Sequence, residues 1–185
     1  MKLSILIPTI RRRTSKCRRL VRDLTSQRGA EHVEVLTMPG ETHSIGFKRN
    51  ALVHKACGDY IAFVDDDDKV SHNYVPLILN AIKSAPDVIG ICGEMTTNGK
   101  NLCVFIHSLD VNSWYTHIHY NSTTYYRCPN HLNPVKRKLA LQCPFPTINH
   151  GEDRDYSFQL RHLLHTQEMI TPIIYYYLFR KKRRH

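Results

Sequence analysis

The chain lacks any apolar run long enough to cross a membrane. A span needs roughly 18–20 apolar residues. The best stretch, Ile170 to Phe179, is short, contains Pro172 and three tyrosines, and runs into Arg180. A secretory pattern is missing too. The apolar residues Ile5, Leu6 and Ile7 come soon after Met1-Lys2, and the basic residues follow only at Arg11, the wrong order for a signal peptide. These absences predict a cytoplasmic protein in a reducing compartment. The sequon Asn121-Ser122-Thr123 then carries no meaning. The six cysteines, Cys17, Cys57, Cys92, Cys103, Cys128 and Cys143, form no C-x-x-C pair. That excludes the usual zinc spacings and predicts free thiols that behave as small hydrophobes. There is no internal repeat.

What is present describes one globular domain. The 185 residues are 42% hydrophobic and 23% charged, too apolar for a disordered chain. A chain of this length buries roughly 70% of its unfolded surface. The net charge of +10 is unevenly spread. Residues 11–22 hold seven basic side chains (Arg11, Arg12, Arg13, Lys16, Arg18, Arg19, Arg22) and no acid, and residues 180–184 hold five more. The rest carries 14 basic and 16 acidic residues. Two basic patches on a near-neutral body suit a polyanionic partner; they also suit a solvated helix face and a solubilising tail.

Strand and helix patterns alternate through the first ninety or so residues. Leu3–Ile7, Val33–Leu36, Tyr60–Val64 and Val88–Cys92 read as short buried strands. Between them, Cys17, Leu20, Val21 and Leu24 recur at helical spacing, as do Leu52, Val53 and Ala56, and then Tyr74, Leu77, Ile78, Ala81 and Ile82. Gly58 stands where a helix-ending residue belongs. The alternation predicts an α/β fold with a mostly parallel sheet between helices. The second half differs. Thr97-Asn98-Gly99-Lys100 is a hairpin turn. Leu102–Ile106, Trp114–Tyr126 and Ile173–Phe179 read as strands, Val135–Leu141 as a short helix and Glu152–Leu164 as a longer one.

The third strand runs straight into Asp65, Asp66, Asp67 and Asp68. Adjacent carboxylates repel, so one has its pKa raised unless a cation neutralises the group. Mg²⁺ or Mn²⁺ does this with one or two carboxylates and completes its shell with substrate phosphates. A solvated acidic turn capping a helix is the plainer alternative. In α/β sheets ligands bind beyond the carboxyl ends of the strands, where this run lies.

Gly58-Asp59-Tyr60-Ile61-Ala62-Phe63-Val64-Asp65-Asp66-Asp67-Asp68 resembles the nucleotide-sugar segment of family 2 glycosyltransferases with the GT-A fold. Lys48-Arg49-Asn50-Ala51 is similar to the helix before it, Leu3 to Thr9 to the first strand, and Gly151-Glu152-Asp153 to the Glu-Asp element that supplies the base. The resemblance implies a single GT-A-like domain over residues 1–179. Residues 1–95 would bind the nucleotide-sugar and 96–179 the acceptor, with 180–185 a basic tail. It implies that Pro8, Thr9, Arg49, Asp65 and Asp66 contact the donor, that Asp67 and Asp68 hold Mn²⁺ or Mg²⁺, and that Asp153 is the general base. The second strand departs from the family pattern, running Val33 to Glu41 without its terminal acids.

The implied reaction is an inverting transfer from a nucleotide-diphospho-sugar, a UDP-sugar foremost, to an acceptor hydroxyl. The acceptor is a saccharide or glycoconjugate, or a hydroxymethylated DNA base gripped through Arg11–Arg22 and Arg180–Arg184, as in a phage DNA-modifying enzyme. Two other readings stand beside it: a Mg²⁺-dependent nuclease using the same carboxylates, and a non-catalytic nucleic-acid-binding module. His131, Lys136 and Arg137 suit either phosphate contacts or a solvated basic turn. Trp114, Tyr115, Tyr120, Tyr125 and Tyr126 suit either a stacking wall or sheet packing. His117 and His119 share a strand face with no third ligand evident.

Overall fold

The computed structural model describes residues 2–120 and 122–180. Asn121 of the sequon and most of the basic tail lie outside the described residues. Strands β1 (Leu3–Pro8), β2 (Val33–Met38) and β3 (Tyr60–Phe63) are parallel, with β1 in the middle. The first three helices are α1 (Thr14–Thr25), α2 (Ile45–Lys55) and α3 (Tyr74–Ala81). The apolar runs alternate faces at period two. Leu3, Ile5 and Ile7 of β1 pack with Cys17, Leu20 and Leu24 of α1 and with Tyr74, Val75 and Ile78 of α3. Leu6 joins Ile61 and Phe63 of β3 on the opposite face, against Leu52 and Val53 of α2. Both faces are covered, which is why these strands are apolar throughout. Each fully buried aliphatic side chain stabilises the fold by about 1.5–3 kcal/mol.

Strand β5 (Val88–Thr97) runs past Cys92 and forms a hairpin with β6 (Lys100–His107) through the predicted turn. Segment 114–126 is not one strand. It is the hairpin β7 (Tyr115–His119) and β8 (Ser122–Arg127), with Tyr120 at φ 50°. Residues 135–141 also divide. Val135–Lys136 forms β9, wedged antiparallel between β3 and β5, and only Arg137–Ala140 is helical, α4. Strand β4 (Lys69–Val70) and β10 (Gln167–Phe179) pair antiparallel, and β10 also runs parallel to β5. β10 is longer than predicted because the register shifts around Pro172 without ending the strand. Helix α5 (Glu152–Arg161) packs Tyr156 and Leu160 on the α2 face.

Helix α2 stops at Lys55 with Ala56 extended. Gly58 is no left-handed cap: a Cβ there would stand 2.7 Å from the Ser4 backbone nitrogen, so the glycine permits close approach to β1. All six cysteines are free. No helix among the described residues is long and apolar enough to cross a membrane.

Candidate active site

The parallel pairing of β1 with β3 places Pro8 and Phe63 at one edge of the sheet. A cavity of about 880 Å³ opens there. The chain leaves β3 in a tight turn, the Asp68 amide donating to the Asp65 carbonyl at 3.1 Å. The turn splays the four carboxylates toward four environments.

Asp65 accepts a 3.1 Å charge-assisted bond from Arg49 Nη2. The same guanidinium bonds Glu152 through Nη1. Burial opposes the Asp65 charge, but Arg49 and then His131 outweigh it and hold its pKa below the usual carboxylate range. Asp66, buried, accepts from Thr9 Oγ1 at 2.6 Å and from Arg13 Nη1 at 2.8 Å. Asp67 faces the cavity, 3.0 Å from Arg13 Nη1. Burial raises its pKa, and its negative neighbours Asp66 and Asp65 add to that against Arg13. Asp68 turns inward. Its Oδ2 accepts from Tyr175 OH at 2.8 Å and its Oδ1 from the Leu178 amide at 2.8 Å. Burial first, then Asp65, push its pKa well above the ordinary value. The repulsion within the run is thus relieved for Asp65 and persists at Asp67 and Asp68.

Asp153 lies on the first turn of α5, behind Gly151 at φ 87°. The acids Glu152, Asp153 and Asp155 gather at this helix N-terminus, where the dipole favours negative charge. His131 bridges the two halves of the site. Its Nε2 is 3.7 Å from Asp65 Oδ2 and its Nδ1 is 4.0 Å from Asp153 Oδ2. The ring is buried and neither nitrogen has a hydrogen-bond partner among the described residues.

Pro8, Thr9, Arg49, Asp65–Asp68 and Asp153 therefore all line one cavity. Lys48 lines it but donates to the Thr9 and Gly40 carbonyls at 3.0 and 3.1 Å. Lys136 and Arg137 lie elsewhere, Lys136 on Asp87 at 2.9 Å and Arg137 on the Val53 and His54 carbonyls. Trp114 and Tyr125 line the far wall. Tyr115 stacks on Tyr126 at 4.8 Å, and Tyr120 is 89% exposed. Sequence reasoning missed that Arg13 bonds Asp66, 53 residues further along the chain, and that Tyr175 holds Asp68.

The chain matches the family described as Glycosyl transferase family 2 over residues 14–147. It belongs to that family. Solved structures agree on the fold. S. aureus TarS residues 1–349 in complex with UDP-GlcNAc superimposes with a TM-score of 0.72 at 17% identity, covering 99% of this chain and 60% of that one. The same fragment in complex with UDP gives 0.70 at 17% identity, with 96% and 60% covered. TarS itself gives 0.66 at 15% identity, with 96% of this chain and 37% of that one covered. The chain thus spans 60% of the length of the TarS fragment it resembles. Comparison with curated protein sequences gave no match. The family and the fold are those that the resemblance implied, a GT-A-like α/β domain.

Proposed function

We propose that this glycosyltransferase moves a sugar from a UDP-sugar to an acceptor hydroxyl in a single inverting displacement, with Asp153 as the general base. One observation carries the reading: the aspartate turn after β3 and Asp153 face one shared cavity, with His131 standing between them. UDP and UDP-GlcNAc in the TarS structures support the donor class. In this reading residues 1–95 hold the donor and 96–179 the acceptor.

The chain's own groups divide the work. Pro8 and Thr9 line the nucleotide pocket, and Asp66 fixes the Thr9 hydroxyl. Asp65, kept ionised by Arg49, receives the nucleoside. Arg49 serves the donor by orienting Asp65. Asp153 takes the proton from the acceptor hydroxyl as that oxygen attacks the anomeric carbon. General-base help of this kind contributes typically 10²–10⁴-fold. Glu152, beside Asp153, is committed to Arg49 and so is not offered as the carboxylate nucleophile that a retaining double displacement needs.

The donor set fits a divalent cation. Asp67 offers a hard oxygen ligand to the cavity, with Asp65 nearby. Arg13 already places a positive charge on Asp66 and Asp67. No cluster of three metal-ligating side chains occurs among the described residues. Mn²⁺ or Mg²⁺ needs only one or two carboxylates from the protein when substrate phosphates complete its shell. Asp67 would hold the ion, while Asp68, engaged by Tyr175 and Leu178, would shape the turn behind it. When bound, the cation stabilises the charge developing on the departing diphosphate.

Two acceptors remain in view, a saccharide and a hydroxylated DNA base. Arg13 and Arg180, one residue from each basic run, both line the cavity. An enzyme acting on duplex DNA must flip the base out, and its affinity falls steeply with salt. Absence of duplex binding at low salt removes the DNA reading. The donor is tested by thermal shift with UDP-, GDP- and dTDP-sugars in the presence of Mn²⁺. A ligand at a hundred times its Kd stabilises by about 2.7 kcal/mol. The expected result is a shift with UDP-sugars that needs the cation and weakens in Asp67→Asn. No shift with any donor overturns the reading.

A further inference from the structure

Among the Lys and Arg side chains lining the cavity, three are committed. Arg13 pairs with Asp66 and Asp67, Arg49 with Asp65 and Glu152, and Lys48 with two backbone carbonyls. Arg180 is exposed at the rim. Arg127 differs from all of them. It lies in the acceptor half, lines the cavity, and forms no ion pair among the described residues. Its guanidinium is clamped between the rings of Trp114 and Tyr125, at 5.0 and 5.1 Å from their centroids. Nη1 donates to the Tyr115 and Tyr126 carbonyls at 2.7 and 2.8 Å. Nε and Nη2 donate to no group among the described residues. Burial lowers the Arg127 pKa, and no carboxylate offsets it. A half-buried, pre-oriented guanidinium with half its fork free matches an oxyanion bidentately.

The clamp is registered to the base. Trp114 Nε1 donates to Ser157 Oγ at 3.3 Å, and Asn112 in the same loop accepts from Arg161. Ser157 follows Asp153 by one helical turn on α5. Residues so spaced have Cβ atoms roughly 5–6 Å apart on one face. Arg127 and the proposed proton acceptor Asp153 thus line the same cavity, joined through Trp114 and α5.

We propose that Arg127, held by Trp114 and Tyr125, is an anion-binding acceptor subsite, and that the acceptor carries a phosphate or carboxylate group. The proposal rests on the glycosyltransferase reading of the site. In the transfer, the acceptor oxygen forms its bond to the anomeric carbon as the bond from that carbon to the diphosphate breaks. The electron pair leaves on the diphosphate and the hydroxyl proton goes to Asp153. The acceptor's anion stays on Arg127 throughout.

Trp114 is the chain's single tryptophan, so its fluorescence reports this subsite directly, without turnover. The full chain is titrated with inorganic phosphate, then with glucose, glucose 6-phosphate and glucuronate. The expected result is a saturable change of Trp114 emission with phosphate. At least one of the two anionic sugars binds tenfold or more tighter than glucose, and their ratio separates phosphate from carboxylate. Arg127→Gln abolishes the preference, and Arg127→Lys keeps part of it, while UDP affinity with Mn²⁺ is unchanged in both. Equal affinity for glucose and both anionic sugars in the wild-type chain overturns the proposal, as does a preference that survives Arg127→Gln. The wild-type comparison decides the matter alone if the variants do not fold. Failure of UDP to bind while phosphate still perturbs Trp114 defeats the donor reading and spares the anion site.

Discussion

The Arg49 guanidinium stands between Asp65 and Glu152, so one buried cation ties the end of β3 to the start of α5. The rings of Phe63 and Phe145 lie 5.8 and 5.5 Å away and keep water from the group. Deleting one member of such a cluster leaves an uncompensated charge, at a cost of about 3–5 kcal/mol. Arg49→Met is expected to lower stability by that amount and to abolish donor binding. Adding Glu152→Gln should restore part of the stability, because one orphaned carboxylate is removed. Denaturant unfolding of the single and double variants checks this. Strict additivity would mean that the two groups do not interact.

Asp153→Asn keeps the size of the side chain and removes its basicity. The expected outcome is a 10²–10⁴-fold fall in kcat with UDP affinity within error of the wild type. Turnover near the wild-type rate would assign the proton to another group.

Much of the frame was legible because buried strands and amphipathic helices leave periodic apolar traces. The face-switching residues of β1 and the stripe on α1 are of this kind. The aspartate run announced itself by its electrostatic cost. The directions its members take were illegible, since they depend on a turn and on partners far along the chain: Arg13, Arg49 and Tyr175. β9, the β7–β8 turn and the first part of β10 escaped for local reasons. β9 is only two residues long and shows no period. The β7–β8 turn uses Tyr120 in a conformation usually left to glycine. β10 hides behind Pro172, which a bulge accommodates. Trp114 and Tyr125 were visible as aromatics, but that both lie against Arg127, with Trp114 held by Ser157 of α5, depends on contacts far along the chain.

Gly46 opens α2 where that helix meets the segment leading to Asp153. A Cβ there would fall 1.8 Å from the Pro146 carbonyl oxygen. The Gly46 amide donates to the Ile148 carbonyl at 3.3 Å. Gly46→Ala must push the 146–148 segment outward, and overpacking of this kind typically costs about 1–3 kcal/mol. Because that segment leads into α5, kcat should fall together with Tm, with UDP affinity less affected. A variant as stable and as active as the wild type would show that the contact yields freely.

His107 sets an acid limit on stability. Its ring is buried, with Nδ1 3.2 Å from Asn133 Oδ1. Burial, reinforced by His131, lowers its pKa from 6.5 to about 3. The unfolded chain therefore binds a proton at this site between those values while the folded chain does not. The stabilising contribution is complete above about pH 6.5 and is lost as the pH falls toward 3, with a limiting slope of about 1.4 kcal/mol per pH unit. Other titrating groups contribute their own slopes, so the difference between two chains isolates this one. His107→Gln is expected to be less stable than the wild type at pH 7.5, because the packed ring is lost, and to flatten the decline between pH 6.5 and 4. Urea unfolding across that range measures both slopes. Parallel curves would mean that His107 is protonated in the fold as readily as in the unfolded chain.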